Sequence, residues 1–346
     1  MSADIAGRSG PFDDLRTLLD DLPGPDEEAR AATRARDLSL TKPPGSLGRL
    51  EGIAEWLAAW QGRTPPRVKN AMVAVFAGNH GVVAQGVAAY PQAVTAQMVA
   101  NFQAGGAAIN QLCESFGLGL QVFELALEVP TGDIAVEPAL SPRDCVATLL
   151  YGLESVPTDI DLLCIGEMGI GNTTVASALA HGLFGGEARD WVGPGTGLDE
   201  AGVAHKAEVV AAAVARHGPE AAGDPFEILR RLGGREIAAM AGAILGGRLK
   251  RVPVIVDGFV ATSAAAVLHA LGPGMLDHCL FGHVSAEPAH GRLLETLGKA
   301  PLLDLEMRLG EGTGAALAAA MAKAAADIHG GMATFAEAGV TDREEE

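Results

Sequence analysis

The stretch DLLCIGEMGIGNTTVASALA, residues 161–180, joins a short apolar run to an alanine-rich segment through a glycine-rich turn. The run is too short and too continuously apolar for a half-solvated strand, which favours a central parallel strand covered on both faces. After the turn, Val175, Leu179 and Leu183 recur at helical spacing. A strand, a tight turn and a helix in this order are typical of a doubly wound α/β sheet.

The same alternation of apolar run and helical segment recurs along the chain. Further short apolar runs lie at 71–78, 118–127, 252–258 and 279–285. Together they predict an α/β protein built on a doubly wound, mostly parallel sheet. Because open sheets of this kind bind ligands at the carboxyl ends of their strands, we expect the function to lie in the loops after these runs.

Composition narrows the range of partners. The chain carries 25 Lys and Arg against 43 Asp and Glu, a formal net charge of −18 that repels nucleic acid and anionic membrane surfaces. No uncharged apolar run reaches the roughly 18 residues of a membrane span, and the N-terminal segment lacks the apolar stretch of a signal peptide. The four cysteines show no Cys-x-x-Cys spacing, which is typical of buried thiols in a reducing compartment. We therefore expect a cytoplasmic protein that binds neither nucleic acid nor a membrane, with its 346 residues in one large domain and a smaller one.

Two glycine-rich loops are candidates for an anion site. In the first, at 167–174, glycines leave backbone amides open to a ligand, and Thr173 or Thr174 is expected to cap the helix whose dipole favours a phosphate there. The loop lacks the Gly-Lys-Ser/Thr of a Walker A sequence and the Gly-x-Gly-x-x-Gly register of a dinucleotide fold. The second loop, VGPGTG at 192–197, is followed by Lys206, which is either a phosphate partner or a solvated surface residue. Taken alone, each loop is also compatible with a structural turn.

Histidines and one aspartate also follow predicted strands. His80, His283 and His290 lie near strand ends, but no His-Glu-x-x-His motif or close His/Cys group occurs, so we expect loop-orienting histidines and no metal site. Asp257 closes a strand directly before Gly258. It either caps the following helix or contacts a ligand.

One carboxylate stands on unusually bare backbone. In RLGEGTGAALA, residues 308–318, Glu311 lies between two glycines just before an alanine-rich helix that Thr313 is expected to cap. A carboxylate there could simply complement the helix dipole. Glycine on both sides favours a close approach of ligand and backbone instead, as a general base in a narrow slot requires.

Six segments, taken together, carry a family resemblance. In chain order they are KPPGSLGRLE, NHGVVAQGVAAYPQAVTAQMV, IGEMGIGNTT, DGFVATSAA, HVSAE and RLGEGTGAALA, and they extend from about Thr41 to Ala316. The chain thereby resembles the nicotinate-nucleotide:dimethylbenzimidazole phosphoribosyltransferases. KPPGSLGRLE and RLGEGTGA together are highly specific, whereas the glycine loops alone are not. The resemblance implies a Rossmann-like large domain at 66–304, a small helical domain built from 1–65 and about 305–346, and a homodimer.

The resemblance also implies an activity, in which nicotinate mononucleotide and 5,6-dimethylbenzimidazole become α-ribazole 5′-phosphate and nicotinate without a cofactor. In this family the glutamate of the RLGEG segment, here Glu311, is the general base that deprotonates the benzimidazole. The residues expected to hold the nucleotide and its phosphate are Glu167, Gly169, Asn172, Thr173, Thr174, Gly195, Gly197, Lys206 and Ser285. The acceptor base is expected against Tyr90, Met98 and Leu309, and the first two stand where other members can carry serine and glutamine.

Other functions remain as alternatives. The same reaction with a different acceptor, such as another benzimidazole, a purine or a phenol, uses the same mechanism. A non-catalytic nucleotide-binding module is expected to lack an acid or base in its slot, and Glu311 speaks against it. An NAD-dependent oxidoreductase has a similar fold, but its glycine fingerprint is missing.

Overall fold

A computed structural model of the chain describes residues 10–341. Its centre is a six-stranded sheet in which all neighbouring strands are parallel, in the order β2-β1-β3-β4-β5-β6. The strands are β1 (Ala71–Ala77), β2 (Gly119–Glu124), β3 (Leu162–Met168), β4 (Val254–Val256), β5 (Cys279–Val284) and β6 (Pro301–Asp304). The predicted α/β fold is confirmed, and each of the five apolar runs contains one strand. The short edge strand β6 was not predicted.

Helices connect the strands and cover the sheet. They are α1 (Asp13–Asp20), α2 (Glu27–Ser39), α3 (Arg49–Gln61), α4 (Ala93–Gln103), α5 (Ala108–Phe116), α6 (Pro142–Glu154), α7 (Asn172–Phe184), α8 (Glu200–Ala221), α9 (Pro225–Leu232), α10 (Arg235–Leu249), α11 (Phe259–Leu271), α12 (Pro288–Thr296), α13 (Thr313–Gly331) and α14 (Phe335–Ala338). Within residues 10–341 no helix is long and apolar enough to cross a membrane.

Alternate residues of the central strands face two separate cores, as in a sheet buried on both sides. In β1, Ala74 and Phe76 belong to the core that includes buried residues of α6, α7, α10 and α11. Val73 and Val75 belong to the opposite core, with buried residues of α3, α5 and α13. The all-apolar composition of β1 follows from this burial on both faces.

The two ends of the described chain meet on one side of the molecule. Arg36 in α2 donates hydrogen bonds to the carbonyls of His329 (3.1 Å) and Met332 (3.1 Å), and α3 packs against α13. This contact is what a small domain built from 1–65 and about 305–346 requires, although that division stays a prediction. The termini of the proposed unit, residues 1–9 and 342–346, lie outside the described residues.

The strand order places a ligand site. From β1 the chain adds β2 on one side and continues with β3 on the other, so the order reverses between β1 and β3. At such a reversal, connections leave in opposite directions and open a crevice at the carboxyl ends of the strands. The glycine loop after β3 begins at this crevice.

Candidate active site

A cleft lies at the carboxyl ends of β3, β4 and β5. Its walls come from residues between 167 and 173 at the end of β3 and in the loop after it, 258–260 after β4, residues between 283 and 287 at the end of β5, Gly195-Thr196, and 308–310 before α13. Its volume is about 590 Å³ when the open mouth is included. The cleft therefore joins loops that are far apart in the sequence.

Most of the predicted nucleotide residues meet here. Those that line the cleft are Glu167, Gly169, Asn172, Thr173, Gly195 and Ser285. Lys206 lies in an adjoining pocket that shares Gly169, Thr173 and Gly195 with the cleft. Thr174 and Gly197 line neither space, because Thr174 is buried and Gly197 is exposed.

The first glycine loop starts α7 without a side-chain cap. Gly171 occupies the N-cap position in the left-handed conformation (φ 91°), so the expectation that Thr173 or Thr174 caps this helix is wrong. Glycine takes the position because the turn needs a positive φ. The first turn of α7 thus keeps the positive end of its dipole facing the cleft, without a capping carboxylate or hydroxyl.

Lys206 in α8 is fully buried behind this loop. Its Nζ donates to Thr173 Oγ1 at 2.8 Å and to the Gly193 carbonyl at 3.2 Å, which joins the two glycine loops. Burial lowers the pKa of Lys206 to about 8, while the charge of Glu287 opposes that shift. Of the two alternatives left by the sequence, the solvated surface lysine is therefore wrong.

Two glutamates lie in or beside the cleft. Burial raises the pKa of Glu167 to about 8, and the charges of Asp257, Glu236 and Glu311 add to the rise. A hydrogen bond from Asn172 opposes it. Burial and the charge of Asp257 raise the pKa of Glu311 to about 7. Both groups therefore change charge near neutral pH, a property common among catalytic acids and bases.

The turn that carries Glu311 is left-handed over three residues. Gly310 and Gly312 each have φ 80°, and Glu311 itself has φ 62°. A Cβ on Gly310 would lie 2.3 Å from Glu167 Oε1, so only glycine allows the two glutamates to approach in this way. The N–H of Glu311 donates to the Glu167 carbonyl at 3.2 Å, and the residue is 5% exposed. Glu311 thus lies beside the cleft, directly after the lining residue Gly310.

The helix after Glu311 is not capped as expected. Thr313 is the first helical residue rather than the N-cap, and its hydroxyl donates to the Gly310 carbonyl at 2.8 Å. The cap comes from Asp257, whose two carboxylate oxygens accept the N–H groups of Gly312 and Ala315. Asp257 therefore caps α13, far along the chain, and not the following helix α11.

The histidines near strand ends orient the site. His290 accepts the N–H of Ser285 on Nδ1 at 2.8 Å, and its Nε2 lies 2.9 Å from Thr262 Oγ1, which fixes the Ser285 loop. Burial lowers the pKa of His290 to about 3, so it acts as a neutral acceptor. His80 is buried 2.7 Å from a carboxylate oxygen of Glu236, under the first glycine loop.

The predicted acceptor residues are spread out. Leu309 lines the cleft and is 56% exposed. Tyr90 is 52% exposed, Met98 is half-buried against the core of the α13 face, and neither lines the cleft. The helix that carries Met98 is nevertheless tied to the nucleotide loop, because Thr95 Oγ1 accepts the N–H of Ile170 at 3.1 Å. The role of Tyr90 and Met98 stays a prediction.

Sequence reasoning missed several lining residues. Arg308 lines the cleft and donates to the Gly195 carbonyl at 2.9 Å. His283, which the sequence placed near a strand end only as a loop-orienting residue, also lines the cleft, and both its ring nitrogens lack a hydrogen-bond partner among the described residues. Glu287 lies beneath Gly193, because a Cβ added to Gly193 would stand 2.2 Å from the Glu287 carboxylate. Arg308 and Glu287 stand in or beside the RLGEG and HVSAE segments, and this was the one signal available for them. Within residues 10–341, no group of His, Cys, Asp and Glu is arranged to hold a metal ion.

Comparisons with known proteins show the family to which the chain belongs. A family model described as phosphoribosyltransferase matches residues 22–340. The nicotinate-nucleotide–dimethylbenzimidazole phosphoribosyltransferase of Rhizobium leguminosarum bv. trifolii is 64% identical over 334 residues, which cover 96% of this chain and 98% of that protein. The enzyme of the same name from Rhizobium meliloti is also 64% identical over 334 residues, with the same coverage.

A solved structure extends the similarity to the fold. The crystal structure of CobT from Thermus thermophilus has a TM-score of 0.85 and 44% sequence identity, and the match covers 91% of this chain and 99% of that one. The matches run nearly the full length of this chain and include the loops that build the cleft. The chain therefore belongs to the nicotinate-nucleotide–dimethylbenzimidazole phosphoribosyltransferase family.

Proposed function

We propose that this chain transfers the 5-phosphoribosyl group of nicotinate mononucleotide to 5,6-dimethylbenzimidazole, forming α-ribazole 5′-phosphate and nicotinate. The proposal depends above all on Glu311, a buried carboxylate between two glycines that lies beside the cleft. The cleft is lined by a glycine loop and adjoins a pocket that contains the buried Lys206. The names of the relatives supply the two substrates. A non-catalytic nucleotide-binding module would have no use for a base at this point.

The reaction exchanges one carbon–nitrogen bond for another at C1′ of the ribose. The pyridinium nitrogen of the nucleotide is already cationic, so nicotinate leaves with the bonding electron pair as a neutral pyridine and needs no acid. One nitrogen of the benzimidazole attacks C1′ from the opposite face, which inverts β to α. Glu311 takes the proton from the other nitrogen. These steps need one base, one phosphate anchor and an apolar slot that aligns the reactants.

The raised pKa of Glu311 suits this role. With a pKa of about 7, the carboxylate is substantially ionised at neutral pH and still basic enough to accept a proton from an azole. The protonated form cannot act as a base. The rate is therefore expected to fall as the pH drops through about 7.

The nucleotide phosphate is assigned to the two glycine loops. The uncapped start of α7, the hydroxyl of Thr173 and the ammonium of Lys206 converge there, and a helix N-terminus with a nearby cation is a favourable phosphate site. Glu167, Asn172 and Ser285 line the same cleft and are assigned to the ribose and its surroundings. Neither a cofactor nor a metal is part of the proposed reaction.

A different aromatic base is the second candidate acceptor. Tyr90 and Leu309 are both more than half exposed, and Met98 is half-buried, so the residues assigned to the acceptor do not form a closed, rigid pocket. A flexible methionine beside an open site accommodates more than one planar ring. Other benzimidazoles, purines and phenols are therefore included in the acceptor range to be tested.

Replacing Glu311 by glutamine tests the proposal, because the change keeps the shape and removes the basicity. Single-turnover rates with saturating acceptor are expected to fall by about 10²–10⁴. Calorimetric affinity for nicotinate mononucleotide should stay near that of the parent, because the phosphate loops are elsewhere. The matched control is Glu306→Gln, which alters an exposed glutamate with a similar left-handed backbone (φ 56°) in the same segment.

Two results would count against the base. Turnover near the parental level in Glu311→Gln would exclude Glu311 as the general base. Loss of nucleotide binding together with turnover would instead indicate that Glu311 supports the fold of the cleft.

We also propose that the protein is a homodimer in the cytoplasm. Exposed apolar side chains stand close to one another in sequence near the cleft, with Leu305 54% and Leu309 56% exposed. All four cysteines are buried and free, as suits a reducing compartment. Light scattering coupled to size-exclusion chromatography would test the dimer, and a monomeric mass at micromolar concentration would exclude it.

A further inference from the structure

Asp257 is a fully buried carboxylate that acts on a distant helix. It follows β4, yet its Oδ2 accepts the N–H of Gly312 at 3.1 Å and its Oδ1 accepts the N–H of Ala315 at 2.8 Å. These donors belong to the start of α13, whose own N-cap, Gly312, has no side chain to offer. Asp257 therefore provides in space the cap that the local sequence does not provide.

The turn held by Asp257 carries Glu311. A left-handed backbone is unfavourable for a residue with a Cβ, so the φ of 62° at Glu311 persists only where neighbouring contacts enforce it. One contact is the hydrogen bond from the Glu311 N–H to the Glu167 carbonyl. The other is the hydrogen bond from Gly312 to Asp257, which fixes the next peptide. A Cβ on Gly166 would lie only 2.2 Å from the Gly312 nitrogen, so the turn also rests directly on β3.

The titratable groups near the turn that carries Glu311 come from three neighbouring strands and from its own segment. Glu167 lies in β3, Asp257 follows β4, His283 lies in β5, and Arg308 precedes Glu311 by three residues. The pKa values of both glutamates are raised, to about 8 for Glu167 and about 7 for Glu311, and the charge of Asp257 contributes to both rises. His283 Nε2 lies 3.7 Å from Asp257 Oδ1. Asp257 is thus the carboxylate whose charge acts on Glu311 as Glu311 loses its proton.

The ionisation of Asp257 follows from its partners. Burial raises the pKa of Asp257, whereas His283 and the N–H groups of α13 oppose that rise. Two backbone N–H donors and a helix N-terminus interact with a carboxylate more favourably than with a neutral acid. Burial still leaves the pKa of Asp257 above its usual range, so the ionised form is assigned on the geometry of these hydrogen bonds, and the acid limb of the Asp257→Asn variant tests that assignment.

We propose that Asp257 is the positioning residue of the general base, holding the 310–312 turn through its two hydrogen bonds and strengthening Glu311 as a base through its negative charge. The proposal rests on the proposed function, in which Glu311 is the base. Asp257 itself need not touch either substrate. Two separable effects follow, one on the placement of Glu311 and one on its proton affinity.

Asp257→Asn tests both effects, because it removes the charge and one of the two acceptor oxygens while keeping the size. The pH profile of the single-turnover rate is expected to shift its acid limb to lower pH by about one unit, since a neighbouring negative charge no longer favours protonated Glu311. The plateau rate should fall roughly tenfold, because a displaced base is less effective. The affinity for nicotinate mononucleotide should change less than about threefold, since the phosphate loops do not contact Asp257.

Asp161→Asn is the matched control. Asp161 is also a buried aspartate that accepts two backbone N–H groups, from Lys69 at 2.9 Å and Asn70 at 3.0 Å, but it lies at the opposite end of β3. This variant should lose stability without moving the acid limb. It separates the general cost of removing a buried aspartate from the effect on Glu311.

Four outcomes decide the proposal. A shifted acid limb in Asp257→Asn, with an unshifted limb in Asp161→Asn, supports it. A lower rate with the parental acid limb would limit Asp257 to a structural role and overturn it. If Asp257→Asn does not fold, Asp257→Ser provides a smaller neutral cap for the same measurement, and failure of both to fold would also overturn the tuning role. Glu311→Gln is measured alongside, and parental turnover in this variant would refute Glu311 as the general base and with it the positioning role of Asp257. Failure of the proposed function is thereby distinguished from failure of the role of Asp257 alone.

Discussion

Replacing Lys206 by methionine removes the ammonium at the junction of the two glycine loops while keeping most of the side-chain volume. Lys206 is fully buried, and its Nζ holds Thr173 Oγ1 at 2.8 Å and the Gly193 carbonyl at 3.2 Å. Losing one hydrogen bond to a charged partner costs about 1.5–3 kcal/mol, which corresponds to a loss of roughly 10-fold to 150-fold in affinity for nicotinate mononucleotide. Isothermal titration calorimetry at pH 7 measures this loss directly.

The pH dependence of binding gives a sharper test of the same residue. The pKa of Lys206 is lowered to about 8, so the free protein loses this ammonium as the pH rises through about 8. If the phosphate needs the charged form, the parental affinity should fall about tenfold between the neutral plateau and one pH unit above that pKa. Lys206→Met has no ammonium to lose, so it should bind weakly and its alkaline fall should be smaller, with only the ionisation of Glu167 remaining.

Lys250→Met is the control for the Lys206 variant. Lys250 is another lysine whose pKa is lowered by burial, and its Nζ donates to the carbonyls of Leu153, Glu154 and Val156, away from the cleft. Its replacement should leave the nucleotide affinity and the alkaline limb as in the parent. Equal affinity of the parent at pH 7 and pH 9, or parental affinity in Lys206→Met, would refute the phosphate role of Lys206.

Four further substitutions test other parts of the site and the fold. Gly310→Ala places a Cβ 2.3 Å from Glu167 Oε1 on a backbone with φ 80°. A strain of about 1–3 kcal/mol at this turn should lower turnover roughly tenfold or more. A parental rate would show that the turn is not constrained. Tyr90→Ala and Met98→Ala should raise the Michaelis constant for the acceptor or change the products formed from a mixture of bases, and no change in either quantity would remove both residues from the acceptor site. Leu163→Ala, in the buried β3, should lower the free energy of unfolding by about 2–5 kcal/mol in urea titrations, whereas a loss below about 1 kcal/mol would contradict its place in the core.

The central strands could be predicted because burial on both faces leaves a direct mark on the sequence. β1 is continuously apolar, and β3 begins with four apolar residues, since alternate residues enter two different cores. β6 carries no such mark, because Pro301–Asp304 is a four-residue edge strand with no fully buried side chain. A short, half-covered edge does not require an apolar run, so the sequence pattern did not distinguish it from a loop.

The predicted caps of α7 and α13 were wrong for the same physical reason. At α7 and α13 the N-cap positions belong to Gly171 and Gly312, whose left-handed backbone lets the chain turn sharply at the cleft. Local reasoning looks for the nearest hydroxyl and chose a threonine in both cases. At α13 the capping group comes from Asp257, which lies in a loop after another strand. The sequence of one loop does not show which other loop lies beside it, so this cap could not be predicted locally. Arg308 and Glu287 were missed on the same ground.

Under the proposed function, the charges in and around the cleft are expected to orient the phosphorylated sugar. Lys206 donates to Thr173 in the loops assigned to the phosphate, whereas Glu311 lies on a separate turn held by Asp257. Lys206 attracts a phosphate and ionised Glu311 repels it, while the charge of Glu287 near Lys206 reduces the attraction. Under the proposed function, we therefore expect the phosphate to bind at the glycine loops with the ribose C1′ directed toward Glu311. In a chain with a net charge of −18, the acidic field that repels large polyanions would then also orient the small anion that the buried lysine binds.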